Sequence, residues 1–330
     1  MPSNKFAVKS LILLPLFGLC AAAHGQDSNT PAQPAADATM DIAAMTTAPP
    51  EKRDVLRAQV LLDRAHFSSG EIDGLPGGNL SKALKGFQRS RGLDDDGRLG
   101  PDTWAQLELD AVPTLVEYTL LDADVKGPFV ELPKDMMERA ALPALGYTSI
   151  GEALGERFHA SPALIAKLNP GKQLDLAGEV IRVPNVLDAA PPPAAAQVIV
   201  DRSERTLMLA DADGKIIAQF PSSTGSKHDP LPVGEWKVES VSTNPVFYYS
   251  PDLFWNADPT HVKAELKPGP NNPVGLVWID LSKEHYGIHG TPEPSRVGKS
   301  ESNGCIRVTN WTALLLSRAV KNNMPVLLRE

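Results

Sequence analysis

The chain has 330 residues, 42% hydrophobic and 22% charged, with 40 acidic against 32 basic side chains, a net charge of -8 and two cysteines. These are globular values with room for two or three domains, and they exclude a wholly disordered chain or a multi-span membrane protein. The acidic balance argues against nucleic acid as a partner, and two cysteines cannot build a disulfide scaffold.

In chain order, Lys5 and Lys9 precede an apolar run from Leu11 to Ala23 that exits through small residues up to Gly25. This pattern reads as a cleaved export signal over residues 1–25, so contact with a membrane is expected only during export and the destination is the periplasm or cell envelope. The run is shorter than the ~20 residues a spanning helix needs. Bulky Leu19 before Cys20 argues against lipidation there. Cleavage near Ala23 or Gly25 removes Cys20 and leaves Cys305 as the single thiol. Residues 26–50 are Pro, Ala, Thr and Asp with almost no large apolar side chain, which predicts a disordered linker.

A first module is expected over residues 51–112. Val55, Ala58, Leu61, Leu62 and Ala65 recur at helical spacing, as do Leu80, Ala83, Leu84 and Phe87, and a third short helix carries Trp104 and Leu107. The plain reading is a three-helix bundle with an aromatic core. The elements Ile72-Asp73-Gly74, Phe87-Gln88, Gly92-Leu93 and Asp96-Gly97-x-x-Gly100-x-x-Thr103-Trp104 closely resemble the peptidoglycan-binding module of bacterial wall enzymes. That resemblance implies an affinity for cell-wall glycan and its peptides.

The second module, residues 114–186, reads as strand, two helices (Ile150 to Phe158, Ser161 to Leu168) and a returning strand at Glu179 to Val183. Its end, Gly178-Glu179-Val180-Ile181-Arg182-Val183-Pro184, is similar to that of a lysin motif, an α+β module that binds N-acetylglucosamine polymers. An insertion around Lys126 to Leu145 departs from that pattern, and a structural spacer is the alternative.

A Pro/Ala linker at residues 187–196 leads into a mainly β domain, residues 197–330. Strand signals lie at Val198 to Val200, Leu207 to Leu209, Ile216 to Ile217, Trp236 to Val241, Val274 to Ile279 and Pro325 to Leu328. One helix is expected from Trp311 to Val320, behind an Asn310 cap. The long loop Asn256 to Pro273 has the length of a lid or a substrate wall.

Polar and reactive groups concentrate in Tyr286-Gly287-Ile288-His289-Gly290-Thr291, followed by Gly298 and then Ser302-Asn303-Gly304-Cys305-Ile306-Arg307. In extended backbone, Cys305 and Arg307 share a face while Ile306 turns to the core. A guanidinium beside the thiol favours thiolate, and an imidazole can take the thiol proton and return it to a leaving amine. Gly304 permits close approach of substrate to main-chain N–H groups that hold an oxyanion. The bland alternatives are a buried inert thiol and an Arg307 engaged only in a surface ion pair. His285 and His289 stand four apart like zinc ligands, but Gly287 and Ile288 make a poor helix there.

His-Gly-Thr followed by Ser-x-Gly-Cys-Ile-Arg resembles the signature of L,D-transpeptidases, and the likeness runs from Gln197 to Arg329. It implies a β-sandwich-like catalytic fold with Cys305 as nucleophile and His289 as general acid and base. Gly290, Ser302, Asn303, Gly304 and Arg307 then form the active-site turn and bind substrate. Asn303 stands where the family usually has histidine. The implied reaction attacks the diaminopimelate carbonyl of a tetrapeptide stem, releases D-alanine and passes the acyl group to an amine, giving a 3-3 cross-link. It needs no metal or other cofactor, since the thioester conserves the bond energy. Open alternatives are use of the same thioester for hydrolysis, D-amino acid exchange, or attachment and detachment of an envelope lipoprotein, and a non-catalytic wall-binding protein.

Overall fold

The computed structural model describes residues 52–330 other than 188, 193 and 256, so the expected signal and first linker lie outside the described residues. Helix α1 (Val55–Arg64) starts where the Asp54 carboxylate accepts from the Arg57 N–H at 3.0 Å. Helices α2 (Gly78–Ser90) and α3 (Pro101–Leu107) complete the bundle, the latter with proline in its first turn, where no N–H is needed. Leu61, Leu62, Leu84, Phe87, Trp104 and Leu107 form its core. Buried Gln88 explains the spacing of the polar motif residues. Its amide donates to Asp96 and Thr103, both at 2.9 Å, and its oxygen accepts from Gly97 N–H at 2.9 Å.

In the next segment β1 (Leu115–Thr119) pairs antiparallel with β2 (Val180–Pro184). Between them come α4 (Asp122–Lys126), α5 (Met136–Ala140), α6 (Ile150–Arg157) and α7 (Pro162–Leu168). Ser149 and Ser161 cap α6 and α7. The core of this segment contains Leu154, Phe158, Ile165, Ile181 and Val183, and it also takes in Val60 and Ile72 from the preceding bundle. Each segment thus has a core of its own, and Val60 and Ile72 join the bundle to that of the second segment.

The remaining chain forms β3 (Gln197–Asp201), β4 (Thr206–Ala210), β5 (Ile216–Pro221), β6 (Gly234–Thr243), β7 (Phe247–Tyr249), β8 (Ala264–Leu266), β9 (Val277–Leu281), β10 (Gly287–His289), β11 (Ile306–Arg307), α8 (Asn310–Ala319) and β12 (Pro325–Arg329). Eight of these strands make one sheet in the order β11-β10-β9-β6-β12-β3-β4-β5. Two stacked sheets were expected, and a single curled sheet is found. The reason lies in β6, whose first half pairs with β12 and second half with β9, with a register shift between Val238 and Ser240. A bulge bends and twists a strand. Val200 and Leu209 from one half thus share a core with Ile279, Ile288 and Ile306 from the other and with Leu316 of α8. Each such fully buried aliphatic side chain contributes roughly 1.5–3 kcal/mol.

The cap of α8 is Thr309, whose hydroxyl accepts from the Thr312 N–H at 3.3 Å, not the expected Asn310. Asn310 is the first helical residue and wholly buried, and its side chain works elsewhere. The long loop after residue 256 carries β8, which pairs with β7 as a two-stranded arm.

The N-terminal segments are docked on the sheet. Gln219 of β5 exchanges main-chain bonds with His66 (2.8 Å) and Ser68 (3.0 Å) and donates from its side chain to Lys82 O at 2.7 Å. His159 stacks on Trp311 with ring centroids 5.1 Å apart.

Candidate active site

Strands β10 and β11 bring the two halves of the motif together. They pair in parallel, with Ile288 opposite Ile306 and His289 opposite Arg307. Both isoleucines are fully buried, which anchors the register from below. Cys305 and Arg307 stand on the other side, as strand alternation predicts, and line a cavity of about 830 Å³ together with His289, Ser302 and Asn303. Phe247, Tyr248, Tyr249 and Phe254 also line it, and the long loop contributes Ala257, Asp258, His261 and Pro273. Trp255 is exposed and stacks on His228, with centroids 4.5 Å apart.

The imidazole of His289 is held in one tautomer. Its Nδ1–H donates to the Gly290 carbonyl at 2.6 Å, leaving Nε2 as the basic nitrogen. Trp278, its neighbour across the β9 pairing, stacks on the ring at 5.6 Å. Burial, with a smaller contribution from the Arg307 charge, pulls His289 down to about 4 against the Gly290 bond that raises it. Gly290 has no room for a side chain, since a Cβ would lie 2.2 Å from the Asn310 Oδ1. That oxygen accepts from the Leu276 N–H at 3.0 Å, while the Asn310 amide donates to Glu156 and Pro270 O, each at 3.1 Å.

The thiol of Cys305 donates to the His285 carbonyl at 3.6 Å. Burial pushes it up to about 11, outweighing the Gly287 N–H and the Arg307 charge, both of which lower it. Arg307 was expected to favour thiolate. Its charge does act in that direction, but burial outweighs it, and thiol and imidazole both rest neutral. Arg307 itself is not in a surface ion pair among the described residues. Its Nη2 donates to Glu301 O, its Nε is buried without a hydrogen-bond partner, and burial lowers its basicity.

The turn before Cys305 is tightly held. Ser302 Oγ–H donates to the Cys305 carbonyl at 2.5 Å, and Ser302 N–H donates to Thr224 O at 3.0 Å. Gly304 sits at φ +97°, and a Cβ there would meet the Tyr286 ring at 3.0 Å. This is backbone that only glycine adopts without strain. Asn303 is exposed at the cavity rim.

His289, Ser302, Asn303, Cys305 and Arg307 thus line one cavity, Gly304 sits in the turn before Cys305, and Gly290 follows His289 against Asn310. Trp278 and Asn310 were not anticipated as parts of the site, and Tyr286 was anticipated only as a member of the polar stretch. Strand alternation of Trp278 with Ile279 could have placed Trp278 on the His289 side, whereas nothing local marks Asn310.

Two family descriptions match this chain: "L,D-transpeptidase catalytic domain" over residues 195–328 and "Putative peptidoglycan binding domain" over residues 51–107. Among curated relatives, a Bacillus subtilis protein named "Putative L,D-transpeptidase YqjB" is 32% identical over 146 residues, covering 42% of this chain and 74% of its own length. YkuD of Bacillus subtilis, named likewise, is 29% identical over 51% of this chain and 87% of its own. Among solved structures, the L,D-transpeptidase of Xylanimonas cellulosilytica aligns over 85% of this chain and all of its own, with 17% identity and a TM-score of 0.36.

Proposed function

Because the chain belongs to the L,D-transpeptidase family, an enzyme class acting on peptidoglycan, we propose that Cys305 is its nucleophile and His289 its general acid and base. The observation that carries this assignment is the locked tautomer of His289. With Nδ1–H committed to Gly290, only Nε2 can take a proton in the cavity shared with the Cys305 thiol.

A thiol at about 11 is ionised in only ~1 molecule in 10⁴ at pH 7, so its proton leaves as the new bond forms. Sulfur attacks the diaminopimelate carbonyl of a tetrapeptide stem while the S–H proton moves to His289 Nε2. The tetrahedral intermediate places its oxyanion against main-chain N–H groups of the turn that Ser302 and Gly304 shape. Collapse breaks the bond to D-alanine, whose amine takes the proton from His289. An amine of a second stem then attacks the thioester and gives its proton to His289, which returns it to sulfur. Arg307, half-buried beside the thiol, supplies positive charge as the oxyanion develops.

The peptidoglycan binding domain supplies wall affinity. The β1–α6–α7–β2 arrangement supports a lysin-motif-like fold for the second segment, and the N-terminal pattern supports export to the periplasm. Acceptor choice is read from products. Purified protein incubated with disaccharide-tetrapeptide is expected to yield cross-linked dimers short of one D-alanine. Tripeptide alone would indicate hydrolysis; with a D-amino acid or an envelope lipoprotein added to the mixture, exchanged termini or a captured lipoprotein would indicate those acceptors. A carbapenem is expected to add its mass to the intact protein, and an adduct that persists in Cys305→Ala would refute the assignment.

A further inference from the structure

The insertion around residues 126–145, which sets the second segment apart from a plain lysin motif, has a partner. Its Leu132, Met136, Met137, Ala140 and Leu145 do not join the core of their own segment. They form a separate apolar cluster with Phe247, Tyr249, Phe254 and Leu266 of the β7–β8 arm. The main chain closes the joint, with Leu145 N–H donating to Pro268 O and Asn271 N–H to Leu145 O, both at 3.0 Å.

A polar chain runs through the same joint. Asp135 Oδ1 caps α5, accepting from Met137 N–H at 2.8 Å and Glu138 N–H at 3.0 Å. Its other oxygen accepts from His261 Nε2–H at 2.8 Å, and His261 Nδ1 accepts the Tyr249 hydroxyl at 2.9 Å. Tyr249, His261 and Met136 all line the cavity that holds Cys305 and His289. A tyrosine lining the cavity is therefore oriented by a carboxylate contributed from another segment of the chain.

We propose that the insertion is a working part of the catalytic cleft: Asp135, acting through His261, is a positioning residue that holds Tyr249 and the arm as the wall against which the acyl-donor stem peptide is seated. This rests on the transpeptidase reading above. It makes the second segment a determinant of substrate fit as well as a candidate wall-binding element. Without the Asp135 bond, His261 loses its charge-assisted partner and the arm gains freedom that substrate binding must then remove.

The test is Asp135→Ser in the full mature chain, because a serine hydroxyl still caps α5 but is too short to reach His261. Hydrogen exchange of amides in residues 247–266 is expected to quicken about tenfold, with residues 115–119 and 180–184 unchanged. KM for disaccharide-tetrapeptide should rise about tenfold while kcat changes by less than about twofold. His261→Leu should do the same, and the double variant should be no worse than either single one. Asp135→Asn, whose oxygen still caps α5 while its amide N–H donates to His261 Nε2 with the imidazole proton moved to Nδ1, should restore most of KM. Unchanged exchange and KM in Asp135→Ser would overturn the proposal, as would a lower melting temperature with KM intact. If the wild type turns over no tetrapeptide, the functional reading fails, and the exchange data still decide whether Asp135 holds the arm.

Discussion

Glu156 stands at the joint between α6 and α8, where it accepts from the Asn310 amide at 3.1 Å. Burial pushes its carboxyl from 4.5 up to about 8, against the Asn310 bond that lowers it and with Glu152 and Glu71 raising it further. The sign follows from proton linkage. Between pH 4.5 and about 8 the folded chain holds a proton that the unfolded chain has released, so stability falls as pH rises through that window and is level above it. At about 1.36 kcal/mol per pH unit, the interval sets a ceiling of about 5 kcal/mol. The side chain is half-buried rather than sealed, and screening by water reduces the expected loss to about 1–3 kcal/mol. Glu156→Gln keeps the oxygen that Asn310 needs and removes the titration. At pH 8 the variant should be more stable than wild type by that amount, about 2–10 °C in melting temperature, with the difference vanishing near pH 4.5. Thermal melts of both proteins at pH 5, 6.5 and 8 measure it. Parallel stability curves for the two would show that Glu156 is ionised in the fold and that the reasoning is wrong.

Other outcomes follow from the site. Acylation by a carbapenem requires neutral His289, so its rate should rise with pH through about 4 and stay level through neutrality, because the thiol does not ionise until about 11. Stopped-flow rates with a limb near 6.5 would instead indicate an ordinary solvated histidine. Gly304→Ala forces a side chain onto φ +97° and into the Tyr286 ring, costing about 1–3 kcal/mol, and should slow acylation at least tenfold in the same assay. Thr309→Ala removes the cap of α8 and should lower stability by about 1 kcal/mol in urea unfolding.

Much of the site was legible because its chemistry is local. Ser302 through Arg307 are one turn and one short strand, so alternation alone placed Cys305 and Arg307 on one side and Ile306 on the other. The helices of the first bundle were legible for the same reason, their apolar residues repeating at 3.6-residue spacing. Asn310 was misjudged as a cap because Asn is a common cap type, and Thr309, one residue earlier, holds that position.

What the sequence determined by itself was the set of reactive groups and the strand-and-turn pattern that presents them, since these depend on neighbours a few residues apart. Tertiary structure alone decided their charge state, because burial of Cys305 and His289 is the work of the whole fold and outweighs the adjacent guanidinium. It also decided the shape of the cleft. Asp135 and His261 lie 126 residues apart, and no periodicity or motif links them until the insertion packs against the arm. A short-range pattern can name a nucleophile, but the dielectric around it and the wall facing it are sums over contacts that only the folded chain makes.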